Sequence, residues 1–159
     1  MGYVKTKTIT LGLVSAVAVS AIWVIWEHGE PRRNSVRALE RLETSLTSSK
    51  ADALIADVVI PPALSQRTVS EQAEFLTKAL RDEISPAGIA ALRKEATFGP
   101  LREIFPGQAD HWSQQSGIPV DDCLAFRMER HGIQAQVVIY RSGSDFRILR
   151  CVNVSRLAS

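Results

Sequence analysis

The stretch TITLGLVSAVAVSAIWVIW, residues 8–26, holds nineteen residues without a charge or a proline. No other feature limits so tightly what this chain can become. As a helix it is about 28 Å long at about 1.5 Å per residue, close to the roughly 30 Å hydrocarbon core of a bilayer. Lys5 and Lys7 bound it on one side, and Glu27, His28 and Glu30 on the other. Tyr3 sits near the first boundary; Trp23 and Trp26, three apart and so on one helical face, sit at the second. Amphipathic aromatics settle at headgroup level, so both ends have the character of interfaces. A cleavable signal peptide is the competing reading, because Ala16, Val17 and Ala18 form a small-x-small site. Cleavage there leaves residues 19–26 as an apolar end exposed to water. No cysteine lies near the segment, which excludes a lipoprotein anchor. The expectation is a retained single-pass anchor.

Its orientation is argued two ways. Arg32, Arg33, Arg37 and Arg41 follow the segment while two lysines precede it, and a strict count places the following side in the cytoplasm. A short basic tail, one apolar segment and a long remainder is instead the layout of a signal anchor, which exports the remainder. On that layout the expected localisation of the C-terminal domain is extracytoplasmic. Gly12, Ala16 and Ser20 recur every fourth residue and give the helix a smooth stripe on which another membrane helix can pack.

The boundaries follow. Residues 1–7 are a short basic tail, 8–26 the transmembrane anchor, 27–33 a juxtamembrane linker with Gly29 and Pro31, and 34–159 a globular domain long enough to bury a core. The first half of that domain has helical periodicity. Val36, Leu39, Leu42 and Leu46 follow Asn34 and Ser35, which can cap a helix start. Residues 50–59 give a second helix through Ala53, Leu54, Ala56, Val58 and Val59, ended by Pro61 and Pro62. Thr68 with Glu71 fits a capping box, and Phe75, Leu76, Ala79, Leu80 and Ile84 then form a stripe. Ser85 followed by Pro86 restarts a helix that runs to about Ala96. A short helical turn holds Leu101, Ile104 and Phe105, and a last helix over 108–116 stops at Gly117.

Beyond Gly117 the period changes to two. Leu124, Phe126 and Met128 alternate with Cys123, Ala125 and Arg127; Ile133, Ala135, Val137 and Ile139 follow a turn at His131 and Gly132. After the turn around Gly143, Phe146, Ile148, Val152 and Val154 are expected on one face. The pattern predicts an antiparallel meander of three or four strands with one buried side. Helices first and strands last make an α+β domain, a helical layer packed on a C-terminal sheet.

An opening helix, then SSKADALIADVVIPP, further helices and a meander closing on GSDFRILRCVNV resemble the nuclear-transport-factor-like, cystatin-related superfamily. The resemblance rests on element order. It implies helices folded over a curved sheet to make a cone with a pocket. The superfamily contains isomerases, dehydratases, binding modules and secretion-system assembly subunits, so the fold alone chooses no function. The chain departs from the pattern in having more helical sequence before the meander and no clear early strand.

Few residues offer chemistry. Asp110 beside His111 and the carboxylates Asp121 and Asp122 are the candidate acid–base pairs, yet neighbours such as Asp110 and His111 on a helix point about 100° apart. The macrodipole explains an acid at that helix start equally well. Asp121 and Asp122 enter a strand and face opposite sides. Three scattered histidines and two distant cysteines lack the spacing of a zinc site, and no metal is expected. No glycine-rich phosphate loop and no Gly-x-Ser-x-Gly elbow occurs, so no cofactor is expected. Simple alternation puts Cys123 and Cys151 on the same, non-core side of the sheet, two strand spacings apart, too far for a ready disulfide.

Arginine supplies fourteen of the nineteen basic residues, and six of them, from Arg127 to Arg156, lie in or near the meander. Arg127, Arg147 and Arg150 are the candidate contacts to a partner, because the guanidinium fork matches carboxylates and phosphates. An acidic protein face or anionic headgroups would suit them; nucleic acid would not, for want of interleaved exposed aromatics. The sequence therefore points to a membrane-anchored binding or accessory module that meets another protein or itself, without catalysis. The alternative is a pocket enzyme using Asp110 or His111 on a small organic ligand.

Overall fold

The computed structural model describes residues 29–48 and 51–158. The segment expected as an anchor, with Tyr3, Gly12, Ala16, Ser20, Trp23 and Trp26, lies outside the described residues. Among the described residues no helix is long and apolar enough to cross a membrane. Asn34–Ser159 forms one compact unit.

Residues 29–48 are helical and form α1. The helix passes through Asn34 and Ser35 instead of starting there, and residues 29–33, expected as a linker, share its conformation. Ser35 is fully buried, so packing has overridden its capping tendency. Ala38, Leu39 and Leu42 bury one stripe of α1 completely. The next helix, α2 (Ala51–Asp57), ends two residues earlier than the apolar pattern predicts. Val58 bridges Ile148 in parallel, and the Val59 amide donates to the Ile148 carbonyl at 2.8 Å. The chain leaves the helix here to cover a sheet edge, whose open carbonyl needs a donor.

Asp57, buried at the end of α2, ties three elements together. Its carboxylate accepts from Arg41 Nε at 3.0 Å and from the Ser45 hydroxyl at 2.7 Å, while Arg41 also donates to the Phe146 carbonyl. Helix α3 (Val69–Arg81) has the predicted capping box at Thr68 and Glu71. Hydrogen bonds from the Thr68 amide and hydroxyl hold the Glu71 carboxyl below its usual range. The stripe of α3 is rotated from the expected one. Gln72, Ala73, Leu76 and Leu80 face inward, while Phe75 and Ala79 are exposed. The cause is Gln72, whose buried amide donates to the Leu64 and Arg67 carbonyls at 2.9 and 3.0 Å and fixes the helix rotation. Helix α4 (Pro86–Glu95) starts as predicted, with Ser85 capping the Gly88 amide.

The sheet has four strands in the order β1-β2-β3-β4, every neighbouring pair antiparallel. β1 (Thr97–Pro100) precedes the short helices α5 (Leu101–Ile104) and α6 (Ala109–Ser116); β2 (Cys123–Arg130), β3 (Ile133–Ser142) and β4 (Asp145–Val152) follow. β1 follows four helices and was not expected as a strand: four residues ending in proline carry almost no alternation signal. His131 and Gly132 form a two-residue hairpin with φ of 52° and 75°, as a type I′ turn requires.

Helices α1 to α4 cover one face of the sheet. Leu39, Leu42, Leu54 and Leu92 meet Phe126, Val137, Ile139 and Ile148 there, all but inaccessible to water. The domain is thus α+β, with helices on an antiparallel sheet. The other face, expected to be open, is covered in part. Leu101, Phe105, Ala109 and Val120 pack on Cys123, Ala125 and Val138, making a second, smaller apolar cluster.

Candidate functional site

The second face owes its shape to a bulge. Val138 pairs with Arg150 and Ile139 with Ile148, so Leu149 is an extra residue in β4. The extra residue reverses the alternation after Ile148. Cys151 therefore turns into the main core, whereas Cys123 belongs to the second cluster. The expectation that both cysteines share a side is corrected on this ground: they are free thiols on opposite faces. Val152, expected in the core, is half-buried. Burial pushes Cys151 up to about 12, helped by the nearby Glu83, and pushes Cys123 up to about 11, helped by Asp122.

The same bulge places Arg150 beside Val138, on the face that carries Arg127. Simple alternation from Phe146 and Ile148 would have aimed Arg150 into the core. Instead, its guanidinium lies over the Trp112 ring, 5.2 Å from the centroid. Arg127 lies over the Phe105 ring at 5.6 Å, and the two rings contact each other at 5.1 Å with planes tilted by 56°. The result is a row, Arg127–Phe105–Trp112–Arg150, with a cation at each end of an aromatic pair. Cation–ring attraction holds the guanidinium groups in place without neutralising them. Among the described residues neither arginine has an ion-pair partner. Arg147 differs, because Asp145 accepts from its Nε at 2.7 Å.

Next to Arg150 a cleft of about 280 Å³ opens between residues 59–62 and α6. Val138 and Leu149 line it from the sheet, Pro61 and Pro62 from the edge segment, and Trp112 and Ile118 from the covering layer. Gln115, Ser116 and Arg150 are its polar residues. Gln115 is within hydrogen-bond distance of the His111 ring, and the Ser116 hydroxyl donates to the Trp112 carbonyl, so both are engaged. No acidic residue is among the described residues that line the cleft.

No family model, curated protein or solved structure matches this chain.

Asp110 and His111 do not converge. Asp110 is exposed and accepts from Arg102 at 3.3 Å, His111 is exposed beside Gln115, and neither lines the cleft. Arg127, Arg147 and Arg150 do share one face, as β2, β3 and β4 register shows. Sequence reasoning missed the cleft, because its walls come from four separate stretches. Pro61 and Pro62 were the available signal: a double proline after an apolar run marks a stiff segment without backbone donors. Among the described residues no cluster of histidine, cysteine, aspartate and glutamate could hold a metal ion.

Proposed function

We propose that this chain is a membrane-anchored binding or accessory module, with residues 8–26 as its single-pass anchor. Residues 34–159 are then its extracytoplasmic domain, and the second sheet face is its contact surface. The observation that carries the reading is the pair of arginines held over aromatic rings without carboxylate partners among the described residues. Ordered, unneutralised guanidinium groups lose little conformational freedom on meeting an acidic surface. The helix-covered face is filled by large side chains, which favours a module over an enzyme with a pocket beneath its helices. The helices-then-meander order supports kinship with the nuclear-transport-factor-like superfamily as part of the same proposal.

The test is native mass after gentle detergent extraction at natural expression level. An assembly well above a monomer or dimer is expected, and the double variant Arg127→Glu, Arg147→Glu should release the chain from it. A small solitary species would sink the reading. Arg150 is left intact in this experiment so that the cleft is not disturbed.

A further inference from the structure

We infer that the cleft beside Arg150 is a binding site for a small apolar monocarboxylate, an alkyl or aryl acid with one negative charge. Three observations specify that chemistry. The first is charge. Arg150 is the cleft's one ionic residue, no acid lines it, and among the described residues the guanidinium has no ion-pair or hydrogen-bond partner. One guanidinium balances one negative charge, and its fork offers a carboxylate two parallel hydrogen bonds. A dianionic phosphate would bring a second charge with nothing to meet it.

The second is the lining. Val138, Leu149, Ile118, Pro61 and Pro62 offer hydrocarbon, and the Trp112 ring offers a flat apolar wall. The other two polar side chains, Gln115 and Ser116, are already engaged within α6. A ligand here gains by burying a hydrocarbon body and by setting one anionic end on Arg150. The third is size and wall chemistry. At about 280 Å³ the cleft stands near the lower bound of small-molecule sites. Pro61 and Pro62 remove two backbone donors from one wall, so an extended peptide finds no strand-like pairing along them.

The site lies on the opposite face of the sheet from the four packing helices, and it shares Arg150 and Trp112 with the docking surface proposed above. It is read on the chain alone.

The experiment uses the full chain in lipid nanodiscs and follows the indole N–H resonances by NMR during addition of hexanoate. Trp112 lines the cleft, while Trp23 and Trp26 serve as references for ligand that merely partitions into lipid. Hexanoate should move the Trp112 signal saturably, and hexylammonium and hexanol should not. Arg150→Gln should weaken hexanoate binding at least about tenfold, the scale of a lost charge-assisted hydrogen bond. Arg150→Lys, which keeps the charge without the fork, should fall between the two. Arg150 is exposed, so neither variant disturbs the core. An equal response to hexanol or hexylammonium overturns the inference, and so does hexanoate affinity that ignores both substitutions.

Discussion

The two faces of one sheet are built for different ends. On the first, Phe126 packs against Phe98, ring centroids 4.7 Å apart, and is closed over by α1 to α4 within an apolar cluster. On the second, two short helices cover only part of the strands, and the sheet keeps arginines where the first face keeps isoleucine and valine. Close packing makes a face stable and leaves nothing to bind with. Partial cover leaves a cleft and oriented cations, at the expense of buried area. Stability should therefore reside mainly on one face and recognition on the other.

The sharpest way to break that comparison is to truncate the central ring of each face. Phe126→Ala removes a fully buried side chain and should cost about 3–5 kcal/mol of unfolding free energy. Trp112→Ala removes a larger but half-buried ring and should cost about 1–2 kcal/mol. Urea unfolding of the two variants measures both. Equal losses would mean that the second cluster is as much a part of the stabilising core as the first.

Next in size is a backbone contact on the helical side. A Cβ on Gly88 would stand 1.9 Å from the Val154 carbonyl oxygen and 2.7 Å from its carbon. Neither atom can swing away as a side chain does, because the turn that follows is fastened by hydrogen bonds. The Ser155 amide donates to the Glu83 carbonyl and the Asn153 amide to the Glu83 carboxylate. Gly88→Ala should therefore destabilise by about 3 kcal/mol, at the upper end of overpacking costs. Outside such a contact, a helical glycine-to-alanine change is stabilising by roughly 1 kcal/mol. A raised Tm in this variant would show that the α4 contact is loose.

What could be read in the sequence divides along the same line. The capping box at Thr68, the Ser85 and Pro86 start, the αL glycine after α6 and the His131 hairpin are local devices, each complete within a few residues, and each stands where the sequence placed it. The first face was legible through alternation in β2 and β3. The second face depends on events that no local pattern records. The bulge at Leu149 moves Arg150, Cys151 and Val152 to the faces opposite those expected, and a run such as RILRCV alternates almost as well with it as without it. The Val58 bridge and the inward turn of Gln72 are settled by distant partners, Ile148 in one case and the Leu64 and Arg67 carbonyls in the other. Alternation placed Arg127 and Arg147 on one face, where they stand, whereas Arg150 joins them only through the bulge, and the cleft beside it was not visible.

The two thiols give a comparison that pH can sharpen. Each has a folded pKa raised above its unfolded value of about 9, so the folded state favours the neutral thiol. That contribution is fully present below pH 9 and is lost as pH rises toward about 11 for Cys123 and about 12 for Cys151. Each thiol should therefore remove about 1 kcal/mol of stability by pH 10. Cys151→Ala should show a shallower loss than the native chain above pH 9, read by urea unfolding at several pH values. Alkylation distinguishes the faces directly. Cys123 should react faster than Cys151, because burial raises its thiol less. Equal rates would show that both faces open in one step.

The smallest expected effect falls on the arginine row. Arg127→Gln removes a guanidinium that lies 5.6 Å from the Phe105 centroid on an exposed part of β2. A cation–ring contact at such a site is worth about 0.5–1 kcal/mol, and no ion pair is lost with it. The change in unfolding free energy should stay within about 1 kcal/mol, and the Phe105–Trp112 contact should persist, since both rings also pack on the second cluster. Binding should respond very differently. If the guanidinium groups are kept for recognition, their removal weakens partner assembly while the fold barely registers it. A loss of stability near that of Phe126→Ala would reverse the assignment, making the arginines part of what holds the second face together.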